Sequence, residues 1–280
     1  MFSTQRVAVF GTLLLTLGLP VPPASAITGG EPDGDRHPAV GAVLAFVPDR
    51  PRPLLCTGVL VHPRVVLTAG HCLHGFQARG VPASDVVVRF APDFDAPGVT
   101  DRAVAQGMIH PDYLPGRERE HYREDISVLI LAEPVTDIAP ARRAGLGFLD
   151  DLDAQGLLQG GPNRTRIARV GYGGTLEFPS PAYIPVDGVR RLTESDFQAL
   201  LPAHVAMNGN LTLDNGGVCF NDSGGPAFWQ DPATGEETVV SLTSWGARCI
   251  SIDVSVRIDT PEAVSFIDAA IACVEEGNCG

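Results

Sequence analysis

The sequence predicts an all-β protein. Its 280 residues include 31 glycines and 24 prolines without a fixed period, and short runs rich in valine and isoleucine recur between them. Short runs bounded by Gly, Pro or Asp are typical of antiparallel sandwiches and barrels. A doubly wound α/β fold would need a helix between successive strands, and the sequence does not offer these helices.

The predicted strands follow one another through most of the chain. They cover residues 40–47, 58–62, 64–68, 85–90, 103–110, 126–132, 166–172, 239–245 and 250–258. The one helix that the sequence predicts lies at the end, where Thr260 suits the N-cap, Pro261 the first turn and Gly277 the stop. Residues 134–162 lack strand alternation, so we expect them to link two β units.

The first 26 residues have the pattern of a secretory signal. Residues 1–6 carry one positive charge, residues 7–19 are apolar, and residues 24–26 (ASA) form a small-residue cleavage site. A membrane anchor is the alternative, but the run falls short of the ~20 apolar residues that span a bilayer. The sequence therefore predicts a secreted protein without membrane association, in a compartment where cysteines can pair.

The charge of the chain argues against a nucleic-acid partner. Its formal net charge is −13, whereas the phosphates of a nucleic acid require a basic surface. Every basic residue apart from histidine is an arginine, and we interpret this bias as the mark of a high-GC genome rather than of a function.

The sequence gives no sign of a metal site. It has no CxxC or HExxH motif, which zinc sites often use. We assign no chemistry to the scattered histidines and expect them at the surface, with residues 110–112 in a turn; they are His37, His62, His74, His110, His121 and His204. The six cysteines allow 15 pairings, among which the sequence alone does not choose.

Three segments place reactive side chains beside predicted strands. Residues 68–72 (TAGHC) contain His71, the run 126–132 is preceded by Asp125, and residues 222–226 (DSGGP) place Ser223 in a glycine-flanked turn. Each residue alone has an ordinary explanation as a cap or turn residue. Together they indicate nucleophilic catalysis by a serine.

These segments resemble the trypsin/chymotrypsin-like serine endopeptidases. They match the histidine, aspartate and nucleophile motifs of that family in its own order, and residues 244–246 (SWG) match its substrate-strand motif. The resemblance runs from Ile27 to the terminal helix. It implies two packed antiparallel six-stranded β-barrels followed by a C-terminal α-helix, and it predicts a secreted serine endopeptidase, of bacterial origin given the composition.

The resemblance also divides the chain and names its partners. The substrates would be proteins or peptides, and a protein inhibitor is a further expected partner. The protein would be a monomer, and the chemistry needs no metal or other cofactor.

The expected structural units are a signal peptide (1–26), an N-terminal barrel with His71 and Asp125 (27–145), a C-terminal barrel with Ser223 and the primary pocket (146–259), and the helix with a tail (260–280).

The family resemblance assigns a catalytic role to each reactive residue. Ser223 would be the nucleophile, His71 the base that takes its proton, and Asp125 the carboxylate that orients and stabilises the imidazole. The backbone N–H groups of Asn221 and Ser223 would form the oxyanion hole. Asn221 stands where the family has Gly, although Asn tolerates positive φ better than most other residues. The alternative is a secreted binding protein of the same fold in which Asn221 impairs the oxyanion hole.

The resemblance implies an activation pair and three disulfides. Family members are usually cut to free a hydrophobic N-terminus whose amine pairs with the Asp before the nucleophile. Here signal cleavage after Ala26 would expose Ile27 directly, for pairing with Asp222. The family's disulfides correspond to Cys56–Cys72 and Cys219–Cys249, which leaves Cys273–Cys279 as a local pair.

The sequence leaves the preferred substrate side chain open. The residues that the resemblance assigns to substrate binding are Gly217, Val218, Ser244, Trp245, Gly246 and Asp253. Gly217 at the pocket base favours large apolar side chains. Asp253 falls near the far wall, where it would attract a basic side chain, or else it is a surface acid. Asp214 is expected in a loop outside the pocket.

Overall fold

The computed structural model of the protein describes residues 27–48, 50–114, 124–176, 183–184, 186–246, 249 and 251–279. The predicted signal segment and His121 lie outside these ranges. Within them the chain forms two closed antiparallel β-barrels and a C-terminal helix, as the sequence predicts.

The first barrel closes in the order β2-β3-β4-β7-β6-β5, with every neighbouring pair antiparallel. Its core consists mostly of valine, leucine and alanine side chains, and valine in particular suits a pleated and buried surface. Its strands are β2 (Val40–Ala45), β3 (Leu54–His62), β4 (Val65–Thr68), β5 (Val86–Arg89), β6 (Arg102–Ile109) and β7 (Ser127–Leu131). A short strand, β1 (Glu31–Pro32), precedes them and pairs with the second barrel.

The second barrel closes in the order β8-β11-β12-β15-β14-β13, because β13 and β11 both pair with β8. Its strands are β8 (Arg166–Gly171), β11 (Arg191–Leu200), β12 (His204–Asn208), β13 (Pro226–Gln230), β14 (Glu237–Gly246) and β15 (Ile252–Arg257). The small strands β9 (Thr175–Leu176) and β10 (Tyr183–Ile184) pair with each other outside the barrel.

Three α-helices accompany the barrels in the described part of the chain, and the sequence predicted only the last of them. They are α1 (Gly70–Gln77), α2 (Phe148–Ala154) and α3 (Pro261–Glu276). The Thr260 Oγ1 accepts the Ala263 N–H at 3.2 Å, and Gly277 ends α3 in the left-handed conformation with φ 68°. Helix α2 lies within the predicted link, where the buried carboxylate of Asp259 accepts the Leu149 N–H at 2.7 Å. None of the helices in the described ranges is long and apolar enough to cross a membrane.

The prediction that the scattered histidines lie at the surface was wrong for two of them. His110 is buried and packs edge-on against Phe266 of α3, although residues 111–112 do form the expected turn. His37 is buried between Asp33, 2.6 Å from its Nδ1, and Glu237, 3.1 Å from its Nε2. The Nδ1 of His110 accepts the Asp112 N–H at 3.2 Å. Each ring also meets a residue that is distant in the sequence, Phe266 or Glu237, and a local pattern cannot reveal such neighbours.

Candidate active site

His71 and Asp125 meet at the end of the first barrel. Strand β4 ends at Thr68 and leads His71 into the first turn of α1, while Asp125 stands just before the neighbouring strand β7. The Asp125 carboxylate accepts the His71 main-chain N–H at 2.7 Å with Oδ1, and its Oδ2 lies 2.8 Å from the His71 Nδ1. Oδ2 also accepts the Ser244 hydroxyl at 2.5 Å. The fully buried carboxylate is thus held by three donors, two of them from His71.

Glycines allow the close approach of these segments. A Cβ on Gly70 would lie 3.1 Å from the Asp125 Oδ1, so a side chain there would press on the carboxylate. A Cβ on Gly224, which has φ 79°, would lie 2.6 Å from the main-chain nitrogen of Ala69. The turn after Ser223 therefore lies directly against the segment that leads to His71, and glycine at 224 is required both for space and for φ.

Ser223 is tied to the first barrel through its own backbone. Its carbonyl accepts the Thr57 N–H at 2.9 Å and lies 3.7 Å from the Cys72 sulfur. The Cys56–Cys72 disulfide, with its Cα atoms 6.3 Å apart, links the two residues that adjoin Thr57 and His71 in the sequence. The histidine, aspartate and serine segments predicted from the sequence are therefore brought together at the junction of the two barrels.

The backbone of Asn221 adopts the left-handed conformation, which glycine adopts without strain and asparagine tolerates. Its φ is 78°. The carbonyl of the preceding residue, Phe220, accepts the Gly174 N–H at 2.8 Å. The carbonyl of Asn221 accepts the Thr57 hydroxyl at 3.3 Å. Both peptide planes that flank Asn221 are thus anchored. Among the described residues, neither the Asn221 N–H nor the Ser223 N–H donates to a protein acceptor.

A cavity of about 300 Å³ opens beside Ser223. Phe220 and Trp245 lie in its wall and are both exposed, with 64% and 43% of their surface accessible. The Cys219–Cys249 disulfide forms part of the wall, and Cys273–Cys279 closes the tail behind α3. The lining residues are Val218, Cys219, Phe220, Asn221, Ser223, Thr243, Ser244, Trp245, Gly246 and Cys249. Gly217 and Asp253 are not among them.

Asp253 lies directly behind this lining and is completely buried. Its Oδ2 accepts the Val218 N–H at 2.8 Å, whereas its Oδ1 has no hydrogen-bond partner among the described residues. A Cβ on Gly246 would lie 2.3 Å from this Oδ1. Burial raises the pKa of Asp253 to about 6, and the charge of Arg169 opposes that rise. The interpretation of Asp253 as a surface acid was therefore wrong. The exposed Asp214 lies in a loop with φ 59° and is not part of the cavity.

Ile27 is completely buried. Thr28 and Gly217 exchange two backbone hydrogen bonds of 2.9 Å, so the N-terminal segment pairs with the segment that leads to the cavity wall. Asp222 is also buried, and its carboxylate accepts the N–H groups of Cys219 at 2.8 Å and Gly173 at 2.7 Å. Burial raises the pKa of Asp222 to about 7 despite these bonds.

Sequence reasoning missed two polar residues next to the site. Thr57 follows a cysteine in an ordinary strand run, and its hydroxyl contact with Asn221 spans 164 positions. Arg169 is completely buried within the second barrel. A charged residue inside a strand that otherwise reads as apolar (Ile-Ala-Arg-Val-Gly) was the available signal, because arginine is almost never fully buried without a specific reason.

The chain is similar to known proteins over most of its length. The family model described as Trypsin matches residues 37–267. A venom serine protease of Polistes dominula is 26% identical over 237 residues, which are 81% of this chain and 78% of the relative. Mouse vitamin K-dependent protein C is 25% identical over 224 residues, 73% of this chain but only 43% of the relative. The clotting factor G beta subunit of Tachypleus tridentatus is 26% identical over 214 residues, 71% of this chain and 65% of the relative.

Proposed function

The chain belongs to the trypsin family, and on that premise we propose that it is a serine endopeptidase whose catalytic triad is Ser223, His71 and Asp125. The observation that carries the proposal is the double engagement of Asp125 with the main chain and the ring of His71, at 2.7 and 2.8 Å. An aspartate that binds both groups fixes the position of the histidine and the orientation of its ring.

The chemistry explains why these three groups are needed. A serine hydroxyl is a poor nucleophile at neutral pH, so a neutral imidazole must take its proton as it attacks the peptide carbonyl. The Oδ2 of Asp125 accepts the Nδ1 proton of His71, which leaves Nε2 as the basic nitrogen for Ser223. The buried carboxylate then offsets the positive charge that the ring gains, and collapse of the tetrahedral intermediate gives an acyl-enzyme that water hydrolyses.

We assign the oxyanion hole to the N–H groups of Asn221 and Ser223. Because both peptide planes around Asn221 are anchored and its φ is 78°, the side chain at this position does not force the backbone out of the conformation that a glycine would take. In other proteases such a donor contributes about 3–4 kcal/mol to the transition state. This conformation favours the enzyme over the alternative, a binding protein with an impaired hole.

We also propose that removal of a secretory signal after Ala26 activates the enzyme. Ile27 is buried in a conformation with φ 55°, which is strained for a β-branched residue. Cleavage before Ile27 frees that torsion and creates an ammonium group. The buried Asp222, whose pKa is raised to about 7 by burial, is the acid that this ammonium would pair with. The three disulfides are in keeping with secretion into an oxidising compartment.

The test is digestion of a diverse peptide library with the secreted protein, after N-terminal sequencing, and with Ser223→Ala as the control. We expect the chain to begin at Ile27, to capture a fluorophosphonate at Ser223 and to cut peptides in a Ser223-dependent way. A chain that begins at Ile27 and shows neither capture nor cleavage would instead support the binding protein. A chain that begins at another residue and is active would contradict the activation proposal alone.

A further inference from the structure

Arg169 is a buried cation whose hydrogen bonds all go to neutral groups. Its Nη2 donates to the Thr243 hydroxyl at 2.8 Å and to the Ser255 hydroxyl at 3.1 Å, and its Nη1 lies 3.3 Å from the Met207 sulfur. Its Nε has no partner among the described residues. Guanidinium groups keep their charge in proteins, so this position carries a full positive charge without a contacting carboxylate in the described part of the chain.

The partners of Arg169 border Asp253 on two sides. Met207 lies directly opposite Asp253 in the pairing of β12 with β15, and Ser255 is two residues further along β15, on the same face. The hydrogen-bond partners of the guanidinium therefore lie on the face of the sheet that carries the Asp253 side chain, and one of them, Thr243, also lines the cavity. Arg169 interacts electrostatically with Asp253 and, more weakly, with Asp222, and burial lowers its own pKa.

The charge near the cavity then depends on four groups. If the Ile27 ammonium pairs with Asp222, the remaining charges are the carboxylate of Asp253 and the guanidinium of Arg169, which offset each other. An isolated Asp253 with one unbonded oxygen would attract a basic substrate side chain. Because the charge of Arg169 acts on the same region, the carboxylate and the guanidinium offset each other, and a basic side chain that enters the cavity would be repelled by Arg169.

We propose that Arg169 determines substrate specificity by neutralising Asp253, so that the enzyme cleaves after large uncharged residues rather than after Arg or Lys. This inference rests on the proposed function and settles the choice that Gly217 and Asp253 leave open in the sequence. Arg169 touches no substrate; it acts through Asp253.

The experiment compares two fluorogenic peptides that differ only in Phe or Arg before the cleaved bond. For the wild-type protein beginning at Ile27 we expect kcat/KM for the Phe peptide to exceed that for the Arg peptide by at least tenfold. Arg169→Met keeps much of the side-chain volume and removes the charge, and it should shift the ratio at least tenfold toward Arg. Adding Asp253→Asn to that variant should cancel the shift.

Two controls separate this inference from its premise. Arg102→Met makes the same chemical change in an exposed ion pair with Asp137, and it should leave the ratio unchanged. If wild-type protein shows no Ser223-dependent cleavage of either peptide, the proposed function fails. If it cleaves both and prefers Arg, or if a folded Arg169→Met variant keeps the wild-type ratio, only the role of Arg169 is overturned.

Asp253→Asn alone provides a second route should Arg169→Met not fold. It leaves the Arg169 charge without an opposing carboxylate, so cleavage after Arg should fall further, and cleavage of a matched Glu peptide should rise at least fivefold over wild type. Unchanged cleavage of the Arg and Glu peptides by this variant would show that Arg169 exerts no field in the cavity, which contradicts the inference.

Discussion

The hydroxyl of Thr57 donates a hydrogen bond of 3.3 Å to the main-chain carbonyl of Asn221. The same hydroxyl accepts the Tyr172 N–H at 3.2 Å, which fixes its direction. Thr57 also binds the carbonyl of Ser223 through its own N–H, at 2.9 Å. One buried residue of the first barrel therefore holds the backbone of the second barrel at both proposed oxyanion donors.

Removing this hydroxyl should slow catalysis without weakening substrate binding. Thr57→Val keeps the branched shape, so we expect kcat to fall about tenfold, less than the loss of a whole oxyanion donor, while KM stays within a factor of two. Steady-state kinetics on one peptide substrate measure both values. Thr57→Ser retains the hydroxyl and should keep nearly full activity. Equal kcat values for the Val and Ser variants would exclude a positioning role for the hydroxyl.

Substitutions at Asn221 test whether its side chain hinders the oxyanion hole. Glycine adopts φ 78° freely, so Asn221→Gly should keep kcat within about threefold of wild type, whereas Asn221→Ala must bear a left-handed conformation that costs about 1–2 kcal/mol. We therefore expect roughly tenfold slower turnover from the Ala variant.

A matched control for this comparison exists at Asp214, which has φ 59° and lies outside the cavity. Asp214→Ala carries a similar backbone strain, and it should lower the unfolding free energy while leaving kcat unchanged. If wild-type protein is inert and Asn221→Gly gains activity, the binding-protein alternative is correct.

The sequence predicts most of the fold, because nine strands are runs rich in valine and isoleucine that are bounded by Gly, Pro or Asp. It did not predict β11, β12 or β13. The main reason in β11 is that buried polar residues interrupt the pattern: Ser195 donates to the Gly216 carbonyl at 2.7 Å, and the Asp196 N–H donates to the Asn215 side chain at 2.8 Å. Such residues look exposed until their distant partners are known.

The residues of the candidate site likewise include some that the sequence predicts and some that it does not. Contiguous motifs identify the segments of His71, Asp125 and Ser223, and the histidine and serine motifs also contain the glycines, Gly70 and Gly224, that their close packing requires. Thr57 and Arg169 act through partners on other strands and lie in no motif. The position of Asp253 behind the cavity depends on the register between β14 and β15, where Gly246 lies opposite Asp253, and a one-residue slip would have reversed its direction.

Asp222 should destabilise a chain that retains Ala26. In that chain no free ammonium is present at Ile27, and burial raises the Asp222 pKa from 3.8 to about 7. Because the pKa of Asp222 is higher in the folded chain than in the unfolded chain, its contribution to the unfolding free energy is complete below pH 3.8 and is lost as the pH rises through 7. Asp222→Asn should therefore stabilise the extended chain more at pH 8 than at pH 5, with a difference of about 2.5 kcal/mol between the two pH values.

Urea unfolding of four proteins at the two pH values measures this effect: the extended chain and the chain that begins at Ile27, each with Asp or Asn at 222. In the chain that begins at Ile27, Asp222→Asn should abolish most activity and should not stabilise. Equal stability changes in both chains would mean that the Ile27 ammonium does not pair with Asp222.

His37 should contribute stability that disappears in alkaline solution. Burial opposes protonation of its ring, but the bonds to Asp33 and Glu237 outweigh that effect and raise its pKa from 6.5 to about 9. Because the folded-state pKa is the higher one, the contribution is complete below pH 6.5 and is lost as the pH rises through 9. Asp33 keeps a second partner, Arg190, whose Nε lies 2.7 Å from its Oδ2.

His37→Phe retains a ring against Phe228 but removes both polar contacts. We expect it to lower the unfolding free energy by about 3 kcal/mol at pH 6.5, since it breaks a buried ion pair, and by much less at pH 9.5. His62→Phe is the matched control, because His62 faces the exposed Glu275 at 4.0 Å and accepts the Arg64 N–H at 3.3 Å, and it should cost about 1 kcal/mol, equally at both pH values. A penalty for His37→Phe that is the same at both pH values would show that the ring acts by packing and not as a cation.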